Sequence, residues 1–456
     1  MLEVGRRRRP GAGGKHPGVG APGLTRPRRG LGPVVAALLS LASATGCATV
    51  RHHAGKPDLR PCRDGFATTA DGWRLGVRHL RPEEPDPGKL PVVLCHGLGL
   101  NATFWTITDR HLPEQLLERG YEVFLFDFRG SGESSKAGTV GRVNSRLRET
   151  FLLEYGEGDW NVDEIVRYDV PAVLDYVKGA TGRDRVNWVG HSLGGMLMFA
   201  HLELSPEPWR VANFVAMGAT VTLADAPQSD MLRANRNLRK LASVVSPGRL
   251  GRPLKYVRLP GLDKIDRLYY TNSNVDPLTV SRFYGYTLED TGRSALKQLD
   301  PYLETGHFVS ADRKIDYAAR LAEVKAPVLM VAGDADVMSD VRSTELTFTA
   351  LGAADKTLVR YGKAEGQRAD YGHCDLVWSR YAPDEIFPEI VSWLDRRQPV
   401  PSGRQPTPAD EAPRLRFRLR PKPQRRAPSE SPPPVELGPA ANPIPTLLPP
   451  SGPTAR

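Results

Sequence analysis

The stretch Val186-Asn187-Trp188-Val189-Gly190-His191-Ser192-Leu193-Gly194-Gly195 decides the fold. Its first four residues read as a short strand of the kind buried on both faces of a parallel sheet. Residues 196–204 read as an apolar helix. Between the two, Gly190-His191-Ser192-Leu193-Gly194 matches G-x-S-x-G. That turn is so sharp that its flanking positions must be small, which leaves the serine hydroxyl exposed at the carboxyl edge of a sheet. The free N–H groups of the following helix favour negative charge forming beside that hydroxyl. Ser192 is therefore the candidate nucleophile, with Gly190 and Gly194 as its steric support.

Working outward, strands and helices alternate on both sides of this turn. Upstream, Asp71-Gly72 between 66–69 and 73–80 signals a tight hairpin. Residues 91–95 form a short apolar run ending in His96-Gly97-Leu98-Gly99. A helix follows, with Pro113 in its first turn and Gly120 just past its end. Next come a strand over 121–128 and a helix over 163–177, with Pro171 near an N-terminal turn. Downstream, strands over 213–217 and 328–332 and a last helix over 384–396 complete the series. Such alternation predicts an α/β fold, a mostly parallel sheet with helices on both faces. Residues 222–320 are too long for a connection and rich in helix formers, so they predict an inserted helical cap.

A serine nucleophile needs a base, and the base needs an orienting acid, in the chain order Ser, Asp or Glu, His. Only His201, His307 and His373 lie downstream of Ser192. His201 falls inside the helix after the nucleophile and His307 in the cap. His373, on a loop after the last predicted strand, is the candidate base. The strand over 328–332 ends in Gly333-Asp334-Ala335-Asp336, and the acid belongs on the loop just beyond it. Asp336 is favoured, then Asp334, then Asp340. The alternative for Asp334 is a turn-forming side chain bonded to its own backbone. Two backbone N–H groups would form the oxyanion hole, one from Leu193 and one from Leu98 in the His96-Gly97-Leu98 loop. Each is worth ~3 kcal/mol or more to a developing oxyanion. Gly97 suits a strand-ending turn, which leaves His96 without a role.

These residues resemble the α/β-hydrolase superfamily over roughly 66–396. Asp127-Phe128-Arg129-Gly130-Ser131-Gly132-Glu133-Ser134 is similar to its D-x-R-G-x-G-x-S segment, and Gly333-x-x-Asp336 to its acid turn. Trp160-Asn161-Val162-Asp163-Glu164, Tyr168-Asp169-Val170-Pro171-Ala172 and His373-Cys374-Asp375-Leu376-Val377-Trp378 resemble the acid lipase branch. That branch tends to carry Gln after the nucleophile and Asn before its Arg-Gly, where this sequence has Leu193 and Phe128. The resemblance implies a lipase or carboxylesterase with a helical cap over an acyl pocket, and no metal or organic cofactor.

The ends differ in character from this middle. Of the net charge of +10, residues 1–33 carry +7 and 398–456 carry +5, leaving −2 for 34–397. A basic nucleic-acid-binding domain would hold its charge on a folded face, so that class is excluded. Basic residues followed by an apolar run over 31–44 and small residues make an export signal. Ala44-Thr45-Gly46-Cys47 resembles a bacterial lipobox, with Ala at the position usually held by Leu, which would make Cys47 the lipidated first residue. The expected location is a bacterial envelope, anchored through Cys47 at a membrane surface, or else plain secretion. Residues 398–456 hold 17 of 41 prolines and no periodic apolar pattern, so they predict a disordered basic tail. The organisation is thus 1–47 leader, 48–65 linker, 66–221 and 321–397 core, 222–320 cap, and 398–456 tail. Cys95 and Cys374 adjoin His96 and His373 and suit burial as small apolar residues, whereas Cys62 is a free thiol or half of a bridge.

The expected function is hydrolysis of carboxylic esters, lipid or acyl esters in particular, through an acyl-enzyme on Ser192. The same triad would also serve acyl transfer or depolymerisation of a polyester. A reading from another class is a catalytically silent, anchored binding protein that holds its partner through the tail.

Overall fold

The computed structural model describes residues 62–135, 159–224, 248, 251–258 and 263–399, with backbone alone at 49–50, 257–258, 263–265 and 416–417. The lipobox at Cys47, the rest of the leader and nearly all of the tail lie outside the described residues.

Nine strands make one sheet: β1 Cys62–Thr68, β2 Arg74–Leu80, β3 Val92–Cys95, β4 Val123–Phe126, β5 Val186–His191, β6 Val211–Met217, β7 Val328–Gly333, β8 Lys356–Tyr361 and the two-residue β9 Arg416–Phe417. Their order across the sheet is β9-β8-β7-β6-β5-β3-β4-β2-β1. All neighbours from β9 to β4 run parallel, and the β1–β2 hairpin adds antiparallel to β4. The hairpin turns at Gly72, whose φ of 89° suits a residue without a Cβ. β8, between residues 333 and 373, has no counterpart in the sequence reading. It alternates Lys, Thr, Leu, Val, Arg and Tyr near the sheet edge and is only partly buried, so it lacks the continuous apolar run of the central strands.

Side chains of a strand point alternately to its two faces, and here each face feeds a separate core. Val93, Phe124, Phe126, Trp188, Phe214 and Met330 pack on one side, under α2 Val170–Thr181, α3 Leu193–Leu204 and α7 Val341–Ala350. Val92, Leu94, Val123, Val189, Val215 and Val331 pack on the other, under α1 Leu112–Glu118 and α8 Phe387–Asp395. Helices therefore cover both faces, which satisfies strands that are apolar throughout. Between β6 and β7 lie α4 Asp263–Tyr269, α5 Pro277–Arg282 and α6 Arg293–Thr305.

Two local features follow from single residues. Pro171 sits in the first turn of α2, and the residues before it, Ile165–Asp169, wind as a π-helical turn closed by the Val170 N–H donating to the Ile165 carbonyl. Proline has no N–H to continue the i→i−4 ladder, so the helix expected over 163–177 changes register there. Asn161 and Glu164 form a capping box at the start of this segment, each side chain bonding the other's backbone N–H.

Candidate active site

β5 runs directly into Ser192, which holds φ 54° and ψ −123°, one of two non-glycine residues with positive φ among the described residues. Such a backbone costs of order 1–3 kcal/mol and persists only where its surroundings over-determine it. The Ser192 N–H donates to the Met217 carbonyl (2.9 Å), and the Ser192 carbonyl accepts from the N–H groups of Gly195 (2.9 Å) and Met196 (3.0 Å). A Cβ on Gly190 would run into the Gly194 carbonyl, and one on Gly194 into the carbonyl oxygens of Cys95 and His96. A Cβ on Gly195 would overlap the Ala219 methyl, so a third glycine is required that the five-residue motif does not include.

His373 comes from the loop after β8 and Asp336 from the loop after β7. The His373 Nδ1 lies 2.9 Å from Asp336 Oδ2, and Asp336 Oδ1 accepts from the N–H groups of Met338 (2.8 Å) and Ser339 (2.9 Å). Both side chains are almost wholly buried. Burial works to raise the Asp336 carboxyl, yet the facing imidazole, its hydrogen bond and the two amides outweigh it and hold the carboxyl below its ordinary range. Gly218 at the end of β6 passes so close that a Cβ there would stand 3.0 Å from Asp336 Oδ2. With Nδ1 engaged, the ring offers Nε2, on a side chain that lines the same cavity as Ser192.

The other candidates are occupied elsewhere. Asp334 bonds the Arg360 guanidinium on β8 (3.1 Å from Nη2), not its own backbone as one sequence reading held. Asp340 caps α7, accepting from the Ser343 N–H (3.0 Å) and hydroxyl (2.7 Å). His201 is buried inside α3, and His307 pairs with Asp316 at 2.8 Å on the surface. Cys95 and Cys374 are buried free thiols, raised well above the ordinary value by burial, and Cys62 is a half-buried free thiol.

On the other side of Ser192, a Cβ on Gly97 would stand 3.1 Å from the Ser192 Cβ, so the loop after β3 lies against the nucleophile. Neither the Leu98 nor the Leu193 N–H donates to any described residue, and both residues line the cavity. His96 now has an account: its buried Nδ1–H donates to the Gly97 carbonyl (2.8 Å), and its Nε2 accepts a long bond from the Phe128 N–H (3.4 Å). Burial lowers its pKa, which keeps the ring neutral as this pair of bonds requires. The D-x-R-G segment also supports this loop. Asp127 accepts from the N–H groups of Ala102 (2.6 Å) and Glu133 (2.9 Å), while buried Arg129 forks between Asp169 and Asp71, with ion pairs of 2.7 Å to each.

Three contributors were given no role by the sequence. The α6 side chains Leu296, Leu299 and Leu303, spaced three and four residues apart, form one wall of a cavity of about 510 Å³ that also holds Leu98, Leu100, Met196 and Met338. Asp375 accepts from the N–H groups of Gly372 (2.8 Å) and Thr271 (3.1 Å) and from Asn274 Nδ2 (2.9 Å), which ties the His373 loop to the segment after α4. Burial pushes its carboxyl up to about 6 against the pull of those donors. His191, beside the nucleophile, is fully buried, and its Nε2 lies 2.9 Å from the His373 carbonyl. Among the described residues no group of three or more His, Cys, Asp or Glu is placed to hold a metal ion.

This geometry agrees with what the chain is similar to. The model of the α/β-hydrolase fold family matches residues 91–378. Triacylglycerol lipase 2 of Arabidopsis thaliana is 24% identical over 374 residues, covering 74% of this chain and 85% of that protein. Gastric triacylglycerol lipase of Mus musculus is 22% identical over 370 residues, covering 73% and 88%. Among solved structures, a membrane phospholipase A described as a bacterial virulence factor superposes with a TM-score of 0.50 at 16% identity, covering 80% of this chain and 92% of that one, which shows a shared fold. The chain belongs to the α/β-hydrolase fold family and has lipases of the gastric kind among its distant relatives.

Proposed function

We propose that the protein is a serine hydrolase of carboxylic esters, lipid or acyl esters in particular, working through an acyl-enzyme on Ser192. One observation carries the reading: Ser192, strained at the N-terminus of α3, shares an apolar cavity with the Asp336-bonded His373 and with two amides that have no acceptor among the described residues.

His373 Nε2 takes the Ser192 proton as Oγ bonds to the ester carbonyl carbon, and the carbonyl oxygen gains the charge that the Leu98 and Leu193 N–H groups receive. Asp336 keeps the ring in the Nδ1–H tautomer and stabilises its cation. Collapse of the tetrahedral adduct breaks the carbon–oxygen bond of the ester, and His373 returns the proton to the departing alcohol. Water, deprotonated by the same Nε2, then cleaves the acyl-enzyme and releases the acid. The leucine-lined wall of α6 supports an aliphatic acyl group, in keeping with relatives named as triacylglycerol lipases.

The test is the initial rate on p-nitrophenyl esters of increasing acyl length, with Ser192→Ala as the paired control. Turnover that falls by about 10⁴-fold or more in the variant is expected, with an optimum at medium or long chains. Equal rates in both proteins would sink the reading.

A further inference from the structure

We propose that His191, the residue before the nucleophile, is a positioning residue that holds the His373 loop in register with Ser192 by donating its Nε2–H to the His373 main-chain carbonyl. The inference rests on Ser192 and His373 being nucleophile and base, and it assigns a task to a side chain that the triad does not include.

The bond fixes the tautomer. A carbonyl oxygen can only accept, so Nε2 carries the proton and Nδ1 is a bare lone pair. That lone pair is buried with no partner among the described residues, 3.5 Å from where a Gly97 Cβ would stand. The ring is wedged between Phe104 (centroids 4.6 Å apart) and the His373 ring (4.7 Å). Both loops of the site thus close on one neutral imidazole. Burial, and then the neighbouring His373, push its pKa down to about 3, while Asp336 pulls the other way and His96 adds a further lowering. A neutral ring is what the place demands, since a cation at His191 would oppose the one that forms on His373 during turnover.

The bond also supplies what the Asp336 contact cannot. Asp336 holds the His373 ring but not its backbone. The backbone of the loop is held by the Gly372 N–H on Asp375, the Cys374 N–H on the Tyr269 carbonyl (2.6 Å), the Ala335 N–H on the Tyr371 carbonyl (3.0 Å), Asn274 Nδ2 on the Asp370 carbonyl (2.7 Å), and His191. The first four come from within the loop, from α4 and the segment after it, and from the acid turn after β7. Of these anchors His191 is the one on the strand that carries Ser192, so it ties the position of Nε2 directly to that of Oγ. Reacting groups displaced by about 1 Å lose about 10²-fold in rate.

The experiment compares the full chain with His191→Phe, which keeps a ring without the donor, and His191→Gln, which keeps a neutral N–H at a similar reach. Thermal melts, kcat and KM on a p-nitrophenyl ester are measured for each. His191→Phe should melt cooperatively and lose about 10- to 100-fold in kcat, with KM within about twofold. His191→Gln should stay within about fivefold of the parent. If His191→Phe does not fold, His191→Met takes its place with the same expectations. The proposal is overturned if the donor-free variant keeps parental kcat, or if the Gln variant is as impaired as the Phe. Loss of folding in both donor-free variants also overturns it, since His191 would then serve the fold and not the alignment. Labelling of Ser192 by a fluorophosphonate separates the two readings. A parent that neither labels nor turns over esters removes the nucleophile itself, whereas a parent that does both, beside an unaffected His191→Phe, removes only the positioning role.

Discussion

The two ends of α3 bury polar groups in opposite ways. At the N-terminus stand Ser192, with its left-handed backbone, and the Leu193 N–H, which has no acceptor among the described residues. At the C-terminus stand His201 and Glu203, both more than nine-tenths buried, with His201 Nε2 and both Glu203 carboxyl oxygens unpartnered among the described residues. The N-terminal donors open on the cavity and sit at the positive end of the helix dipole, poised for an anion. The C-terminal groups avoid charge altogether. Burial pushes His201 down to about 4 and Glu203 up to about 9, and the negative end of the dipole disfavours a carboxylate there as well. An unpartnered buried polar group is thus not by itself a mark of chemistry. Access to a cavity and the sign of the local field separate a waiting donor from a neutralised side chain.

The largest expected effect breaks the N-terminal side. Asp336→Asn should lower kcat by about 10⁴-fold while leaving the thermal melt within a few degrees, because it removes the correct tautomer of His373 and little packing. A loss under about tenfold would show that the acid is not Asp336.

Gly194→Ala comes next. Its methyl would meet the carbonyl oxygens of Cys95 and His96, which are backbone and cannot rotate aside, so about 3 kcal/mol or more of stability should go, together with activity. Chemical denaturation measures it, and a stability equal to the parent's would mean that the turn can widen.

At the far end, Glu203→Gln should stabilise the protein more at pH 8.5 than at pH 5. The folded-state pKa lies above the ordinary 4.5, so the favourable contribution of the neutral carboxyl is complete below 4.5 and lost as pH rises toward 9. The difference should approach about 1.4 kcal/mol per pH unit at most and on the order of 2–3 kcal/mol over the window, since water can enter as the group ionises. Melts at both pH values decide it, and a constant difference between the two proteins would remove the C-terminal half of the comparison.

The smallest effect sharpens the role of the cavity. Leu299→Ala on α6 should move the acyl-chain optimum longer by about two carbons, with stability changed by about 1 kcal/mol because the side chain is only half buried. An unchanged chain-length profile would place the acyl group elsewhere.

The contrast between the helix ends also explains what was legible in the sequence. Gly190, Ser192 and Gly194 are fixed by sterics within five consecutive residues, so the local sequence carries the whole signal. Within the apolar run 196–204 the one acid, Glu203, gives no sign in the sequence that it is buried, because residues far along the chain, among them Arg320 and Asp316, lie near it. The choice of Asp336 over Asp334 shows the same limit: what occupies Asp334 is Arg360, on a strand whose mixed, half-exposed side chains gave no apolar run. His373 was legible by elimination among three histidines, whereas the supports around it, His191 and Asp375, become visible only once loops far apart in the chain meet.

The contacts of Asp375 and Cys374 with Thr271, Asn274 and Tyr269 carry a lesson for engineering. A segment that anchors the loop of the base is not an interchangeable accessory. Grafting the region between β6 and β7 from a relative, to borrow its substrate preference, would unseat His373 unless the graft also brings acceptors and donors at those three positions. Any chimera should therefore be cut outside residues 269–274, so that new selectivity is acquired without dismantling the machine that uses it.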